Sequence, residues 1–413
     1  MKNIEKGVGF KGFFKDFRHD VSLKSVTNGI LAAIFTMTFL MFFYAVLPNY
    51  GLESTQMDEW LTACLSVMGI GTILLPIYFR KPIAMAGSFA SWLCFMSLAG
   101  SGQYQISDIM GACMVSGVLL IILAVTGLMK KVLDFLPGPV VNGMIAGCFL
   151  SYGLYIVNPL ATDPIVVVLM VAAYLIASKK FKRIPGVLAA LVVAVIYYAI
   201  VGLDLPSVSI KPVFPKFTLP TFSSSFPELF LAMTIPMAAL VLGAENAQAY
   251  GVLRTEEFDP PINFMTMISG VGGVIACLFS GVNVNIAGPL TAITASEDSG
   301  EKKGRWTATV VLGVLLLIIA PFYASLVGWV TLFPKALIQL VTGLSVLAIL
   351  TNSLRGSVMD VKHRTSGIIA FLVSASGVKI LGLSAPFWAL LLGDVIYIFY
   401  EGGLKKNKEE KKA

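Results

Sequence analysis

Charge is what this sequence has least of. Aspartate, glutamate, lysine and arginine make up 13% of its 413 residues, and hydrophobic residues 57%; an ordinary soluble domain has about 25% charged residues. So sparse a polar coat cannot cover a soluble globule of 44.3 kDa, and the mean hydropathy of +0.84 agrees. A water-soluble enzyme is excluded. Histidine is scarce too: His19 and His363 both fall outside the apolar runs, so a proton carrier at membrane depth has to be a carboxyl. The five cysteines, Cys64, Cys94, Cys113, Cys148 and Cys277, show no CxxC or CxxH spacing and read as small buried hydrophobes, not as disulfide partners or metal ligands. HExxH and GxSxG are missing, which argues against an intramembrane enzyme. Nothing calls for a cofactor. The charged start, MKNIEKGVGFKGFFKDFRHD, has no clean apolar core, so no cleaved signal is expected.

What the chain does have is a series of apolar runs. They place fourteen spans near residues 26–47, 60–79, 83–99, 108–129, 138–157, 164–178, 186–203, 227–252, 262–280, 285–297, 306–326, 335–353, 365–380 and 383–400, each about as long as a bilayer needs or somewhat shorter. With the N-terminus inside, only Lys211, Lys216, Lys335 and Lys379 of the 30 lysines and arginines fall on the outer side. The net charge of +7 therefore reads as cytoplasmic loops and not as a nucleic-acid surface. Both termini are expected to be cytoplasmic in a multi-pass cell-membrane protein.

An internal match at an offset of roughly 200 residues points to duplication. Tyr50-Gly51-Leu52 lies over Tyr250-Gly251-Val252, Met85-Ala86-Gly87-Ser88 over Ile286-Ala287-Gly288-Pro289, and Leu136-Pro137 near Phe333-Pro334. A repeat with an odd number of spans, seven, must have its second copy upside-down, an architecture of many secondary transporters. The predicted fold is thus an all-α polytopic membrane protein of two inverted seven-span repeats, with short extended stretches breaking spans 3 and 10. Those breaks are Pro82–Ser88 and Gly281–Pro289, where glycine, asparagine, β-branched residues and proline disfavour helix. Ser88 and Gly288 are the expected N-caps, with Pro289 suited to a first turn. Two half-helices starting at mid-membrane would aim two positive ends, about half a charge each, at one cavity. Gly87 and Gly288 also admit a plainer reading, close helix packing.

Two acids stand inside apolar spans, Glu245 and Asp394. Burial of an ionisable group in lipid costs at least roughly 2.5–3.5 kcal/mol, so such residues work or pair. Glu245 sits in the polar island Gly243-Ala244-Glu245-Asn246-Ala247-Gln248, with Gln248 on its face. Desolvation suits it to proton coupling, and a structural carboxyl bonded to a neighbouring helix is the alternative. Asp394 either pairs with a lysine or caps a helix end. The stripe Phe35, Thr38, Phe39, Phe42 has helical spacing and either stacks an aromatic substrate or packs the bundle.

Val21-Ser22-Leu23, Arg80-Lys81-Pro82, Gly251-Val252-Leu253-Arg254, Asn285-Ile286-Ala287, Thr291-Ala292-Ile293 and Ala385-Pro386-Phe387-Trp388 together make the chain resemble the benzoate:proton symporter family of bacterial inner-membrane transporters, over nearly its whole length. That family is similar in architecture to nucleobase and sulfate-type anion transporters. The resemblance implies a cytoplasmic segment 1–25, a core domain of 26–130 and 227–327, a gate domain of 131–204 and 328–401, an extracytoplasmic loop 205–226 and a cytoplasmic tail 402–413. It also implies a proton-coupled importer of a small aromatic carboxylate and, as in similar folds, a homodimer. The expected substrate site comprises Gly87, Ser88, Phe89, Asn285, Gly288, Pro289, Glu245, Gln248, Phe35, Thr38 and Phe39, with Glu245 carrying the proton. Benzoate-type members usually have a glutamine where this chain has Glu245, whereas nucleobase symporters have a glutamate there and a second acid on span 10, where this chain shows Asn283 and Asn285. A nucleobase is therefore the alternative cargo. Sodium stays open as a coupling ion, since backbone carbonyls at the breaks could hold it without a sequence signature.

Overall fold

The computed structural model describes residues 3–46, 54–128, 137–180, 186–202, 211–328, 334–378, 380 and 385–403. Within those ranges the side chains of Thr38, Phe42 and Phe89 lie outside the described residues. All fourteen expected spans appear as helix, or as strand followed by helix. The first repeat contains α2 (Leu23–Val46), α3 (Ser54–Phe79), β1 (Met85–Gly87) with α4 (Phe89–Ala99), α5 (Ile106–Thr126), α6 (Gly138–Gly153), α7 (Pro164–Lys180) and α8 (Gly186–Val201). In the second, span 8 is made of α9 (Phe226–Leu229), α10 (Ile235–Leu240) and α11 (Ala247–Thr255). It continues through α12 (Ile262–Leu278), β2 (Val284–Ile286) with α13 (Gly288–Ala295), α14 (Trp306–Ile319) with α15 (Tyr323–Gly328), α16 (Lys335–Val358), α17 (Arg364–Ala375) and α18 (Ala385–Val395). Before them lies α1 (Phe13–Asp20), a short helix that hydropathy does not announce.

Local sequence explains where several helices start. Ser22 Oγ accepts from the Ser25 N–H (3.1 Å) while Ser25 Oγ accepts from the Ser22 N–H (3.0 Å), a reciprocal cap that opens α2. Pro137 and Pro334 are the extended N-caps of α6 and α16, so that part of the repeat match marks equivalent helix starts; Leu136, Phe333 and Tyr50–Leu52 lie outside the described residues.

Packing repeats the inversion. Helix α5 packs on α12, and α3 on α14, the same pair of contacts with the repeats exchanged. Both crossings are glycine on glycine: a Cβ on Gly117 would stand 2.7 Å from the Gly270 carbonyl, and one on Gly313 2.9 Å from the Gly69 carbonyl. Small residues let membrane helices approach this closely. A second group forms as α6 packs on α16 and α17, α7 on α8, and α17 on α18, with Gly143 against the Gly367 carbonyl.

Two faces can be told apart. On one, Arg80 pairs with Asp16 (2.9 Å), Arg305 with Glu256 (2.7 Å) and Lys302 with Glu257 (3.0 Å), and Glu5 accepts from the Asn263 and Phe264 N–H groups that open α12 (3.1 and 2.9 Å). On the other, the extended stretch 211–222 bonds Ser325, Pro321, Leu278 and Ser107. The loops that carry Arg80, Glu256 and Lys302 thus lie on the face that also holds the N-terminal segment.

Candidate functional site

The site is built where the two breaks meet. β1 and β2 pair antiparallel, Met85 with Ile286, Ala86 with Asn285 and Gly87 with Val284. An extended ribbon inside lipid is tolerated only if protein satisfies its backbone, and side chains of the surrounding spans do so. Thr72 Oγ1 accepts from the Met85 N–H (2.9 Å), Thr291 Oγ1 from the Ala84 N–H (3.3 Å) and Ser269 Oγ from the Ile286 N–H (3.0 Å). Cys64 Sγ accepts from the Val282 N–H (3.4 Å), which places one of the buried cysteines in the ribbon's support.

From this ribbon α4 and α13 leave in opposite directions. α4 ends beside the loop that reaches Glu228, while the end of α13 is held by Arg305 and Asn28 on the basic face. Ser88 is the cap of α4, extended at φ −75°, ψ 107°, and its hydroxyl accepts from the Ser91 N–H (3.4 Å). In the second half the expectation needs correcting: Ala287, still extended at φ −112°, ψ 122°, is the cap, and Gly288 is the first helical residue, with Pro289 in the first turn. The reason is the ribbon itself. The Ala287 N–H is held by the Ala84 carbonyl (3.0 Å), so the chain turns helical one residue later. The two-fold axis of the ribbon relates Met85–Ser88 to Val284–Ala287, two residues earlier than the match of small residues suggested.

Glu245 lies beside the first of these caps, where the Ser88 hydroxyl reaches its Oε1 at 3.3 Å. The same hydroxyl is 2.8 Å from Ser91 Oγ; having one proton, it donates to one or the other. Glu245 is half-buried and belongs to a π-helical stretch, Val241–Asn246, a local widening found often at functional sites. Gln248 is exposed, with its side chain directly over Gly288, where a Cβ would meet it at 2.5 Å. The structure therefore brings Gly87, Ser88, Glu245, Gln248, Asn285, Gly288 and Pro289 to one locus. Asn285 is buried, its Nδ2 bonded to the Ile286 carbonyl (3.1 Å).

Phe35 and Phe39 are half-buried on α2, and Phe39 meets Phe43 edge-on at 5.6 Å. Phe43 in turn packs on Trp92 (4.7 Å), and Trp92 on Trp60 (4.8 Å). Trp92, which the sequence reading passed over, donates its Nε1–H to the Asn283 carbonyl (2.8 Å), the oxygen that also accepts from the Ser88 N–H (3.4 Å). It fixes the first break to the second. Asn246 was missed as well: fully buried, it accepts from Ser269 Oγ at 2.9 Å. Asp394, on α18, has a buried Oδ1 without a hydrogen-bond partner among the described residues.

Known proteins agree with this architecture. The transmembrane domain of a cyanobacterium bicarbonate transporter, BicA, superposes with a TM-score of 0.63 at 15% identity, covering 95% of this chain and 99% of that one. The murine Solute Carrier 26 family member A9 anion transporter, in its inward-facing state, gives 0.62 at 13% identity over 95% of this chain and 70% of that one. These likenesses establish the inverted-repeat transporter fold. In sequence, the inner membrane protein YdcO of Escherichia coli K12 is 26% identical over 84% of this chain and 88% of its own length. The benzoate membrane transport protein of Acinetobacter baylyi is 24% identical over 93% and 96%, and the guanine/hypoxanthine permease GhxP of Escherichia coli O157:H7 is 29% identical over 43% and 44%. The model of the benzoate membrane transport protein family, BenE, matches residues 19–399, and the chain, an integral multi-pass membrane transporter and not an enzyme, belongs to that family.

Proposed function

We propose that this transporter is a proton-coupled symporter that imports a small aromatic carboxylate of the benzoate kind. The observation that supports it most is the 3.3 Å approach of Glu245 to Ser88, the residue that opens one of two opposed half-helices. The half-helices that begin after Ser88 and Ala287 turn their positive dipole ends toward an anion. An ionised Glu245 beside that anion would oppose it by about 4 kcal/mol at 4 Å and an effective dielectric of 20. A proton on Glu245 removes the repulsion and adds a donor, so anion and proton enter together. Phe35 and Phe39 supply the aromatic wall. Thr38 and Phe89 complete the proposed set by position alone.

The two packing groups support a core of 26–130 and 227–327 moving against a gate of 131–204 and 328–401, with the site between them. The basic face is read as cytoplasmic. A neutral nucleobase is the second reading, favoured by the partial GhxP match and by Glu245 as an acceptor for ring N–H groups. Proteoliposomes decide: labelled benzoate should accumulate only with an inwardly directed proton gradient, and Glu245→Gln should abolish that dependence. Uptake indifferent to both, or competition by uracil or xanthine but not by benzoate, would overturn the carboxylate reading.

A further inference from the structure

A buried polar seam leads away from Glu245 between span 8 and span 9. Next to Glu245, Asn246 is fully buried; its Oδ1 accepts from Ser269 Oγ (2.9 Å), while its Nδ2 has no hydrogen-bond partner among the described residues. Asn283 is equally buried and, among the described residues, neither its Oδ1 nor its Nδ2 has a hydrogen-bond partner. It lies against Gly273, where a Cβ would stand 2.5 Å from Oδ1, one turn along α12 from Ser269. Towards the basic face, the Asn246 side chain lies beside the Tyr250 hydroxyl. Tyr250 is 2.7 Å from Thr266 Oγ1, and Thr266 donates to the Ile262 carbonyl (2.9 Å). Just beyond is Glu5, on the first N–H groups of α12.

Buried amides left without partners are costly, and native structures usually meet them with water. The unbonded groups here are donors and acceptors alike, which suits water better than a bare cation. An ionisable residue this deep in a membrane marks an ion or proton route, and Glu245 stands at the head of this seam. We infer that the unpartnered amides of Asn246 and Asn283 are met by ordered water and that the seam past Tyr250 and Thr266 to Glu5 is the route by which Glu245 exchanges its proton with the basic face. In release, the Glu245 O–H bond breaks as one forms on the adjacent water. Each water passes on one of its own protons, and the last delivers one to Glu5 or to bulk water. One proton leaves and every water is regenerated. Tyr250 and Thr266 are positioning residues that orient the file and do not ionise.

The inference rests on Glu245 being the proton carrier, and the test separates the two. Infrared difference spectra after a pH jump, on purified protein in liposomes without substrate, would follow the carboxyl C=O band that Glu245→Gln removes. In Tyr250→Phe, and independently in Thr266→Val, the rate of that band should fall at least tenfold with its final amplitude unchanged. A rate within twofold of wild type in both variants overturns the route and leaves the symport reading standing. If no band disappears in Glu245→Gln, Glu245 does not titrate and both readings fall. Melting temperatures establish that each variant is folded, and counterflow exchange of labelled benzoate, which needs no net proton release, should stay within twofold in both.

Discussion

The hydroxyl of Ser88 and Oε1 of Glu245 are 3.3 Å apart although 157 residues separate them. The link joins a helix cap of the first repeat to a π-helical stretch of the second, so it holds only while the first break faces span 8. Two substitutions part its roles. Ser88→Ala removes both the cap and the link: the cap costs about 1 kcal/mol, and the lost bond to the carboxyl lowers benzoate affinity about tenfold or more. Glu245→Gln keeps an acceptor for Ser88 but cannot hold a proton, so benzoate binding should become independent of pH while the melting temperature barely changes. Calorimetric titration at two pH values checks this, and pH-dependent binding that survives in Glu245→Gln would contradict the assignment.

Gly87 is where the first break can least accept a side chain. A Cβ there would lie 2.0 Å from Cζ2 of Trp92, and that ring cannot retreat, since Phe43 and Trp60 press on it. Gly87→Ala should displace Trp92, loosen its bond to the Asn283 carbonyl and cost about 1–3 kcal/mol. Benzoate binding should weaken at least tenfold, with a shift in tryptophan emission. Trp92→Phe removes the indole donor while keeping an aromatic ring, and should weaken binding less. Equal effects of the two variants would mean that the ring's bulk, not the glycine's clearance, controls the site.

The spans, the breaks and the Ser88 cap were legible because each rests on local chemistry: apolar length, the helix-breaking run Gly281–Pro289, and a hydroxyl at a helix start. Glu245 was legible because a carboxyl in an apolar run is conspicuous. What the sequence hid depends on partners far along the chain. Trp92 reads as one more apolar residue until the Asn283 carbonyl is placed opposite its Nε1. The widening at Val241–Asn246 has no composition of its own, and Asn246 acquires meaning only against Ser269. The shift of the second cap from Gly288 to Ala287 follows from ribbon pairing, which no single segment encodes. The start at Phe13 was hidden for another reason: α1 is too short and too charged to register as a span.

Asp20 gives a pH prediction at the basic face, outside the spans. Partial burial raises its pKa, but hydrogen bonds from His19 and Trp306, together with the charge of Lys303, outweigh this and hold the carboxyl below its usual 3.8. A lowered value in the folded state means that the ionised form stabilises the fold. That contribution is fully present above about pH 4 and is lost as the pH falls through the lowered value. Asp20→Asn should therefore destabilise the neutral protein by up to about 1 kcal/mol, the range of a part-exposed ion pair, and the melting curves of variant and wild type should converge once the pH has fallen below that lowered value. A gap that widens in acid would reverse the sign.

The two glycine crossings provide a test of the inverted packing that does not depend on transport. At Gly270 an added methyl would stand 2.4 Å from the Gly117 carbonyl oxygen, whereas at Gly69 it first meets the Cγ of Leu317 at 2.7 Å, with the Gly313 oxygen at 3.0 Å. A leucine can rotate away; a backbone carbonyl inside a helix cannot move without its helix. Gly270→Ala should thus separate α5 from α12 and cost about 1–3 kcal/mol, and Gly69→Ala should cost less. Thermal unfolding of the two variants in the same detergent would show Gly270→Ala melting several degrees lower. Because α5 with α12 and α14 with α3 are the same contact under exchange of repeats, Gly117→Ala and Gly313→Ala, whose methyls would stand 2.7 and 2.9 Å from facing carbonyls, should fall between those extremes and close to each other. A Gly313→Ala variant as stable as wild type beside a collapsed Gly117→Ala would show that the two crossings do not share one mechanical role.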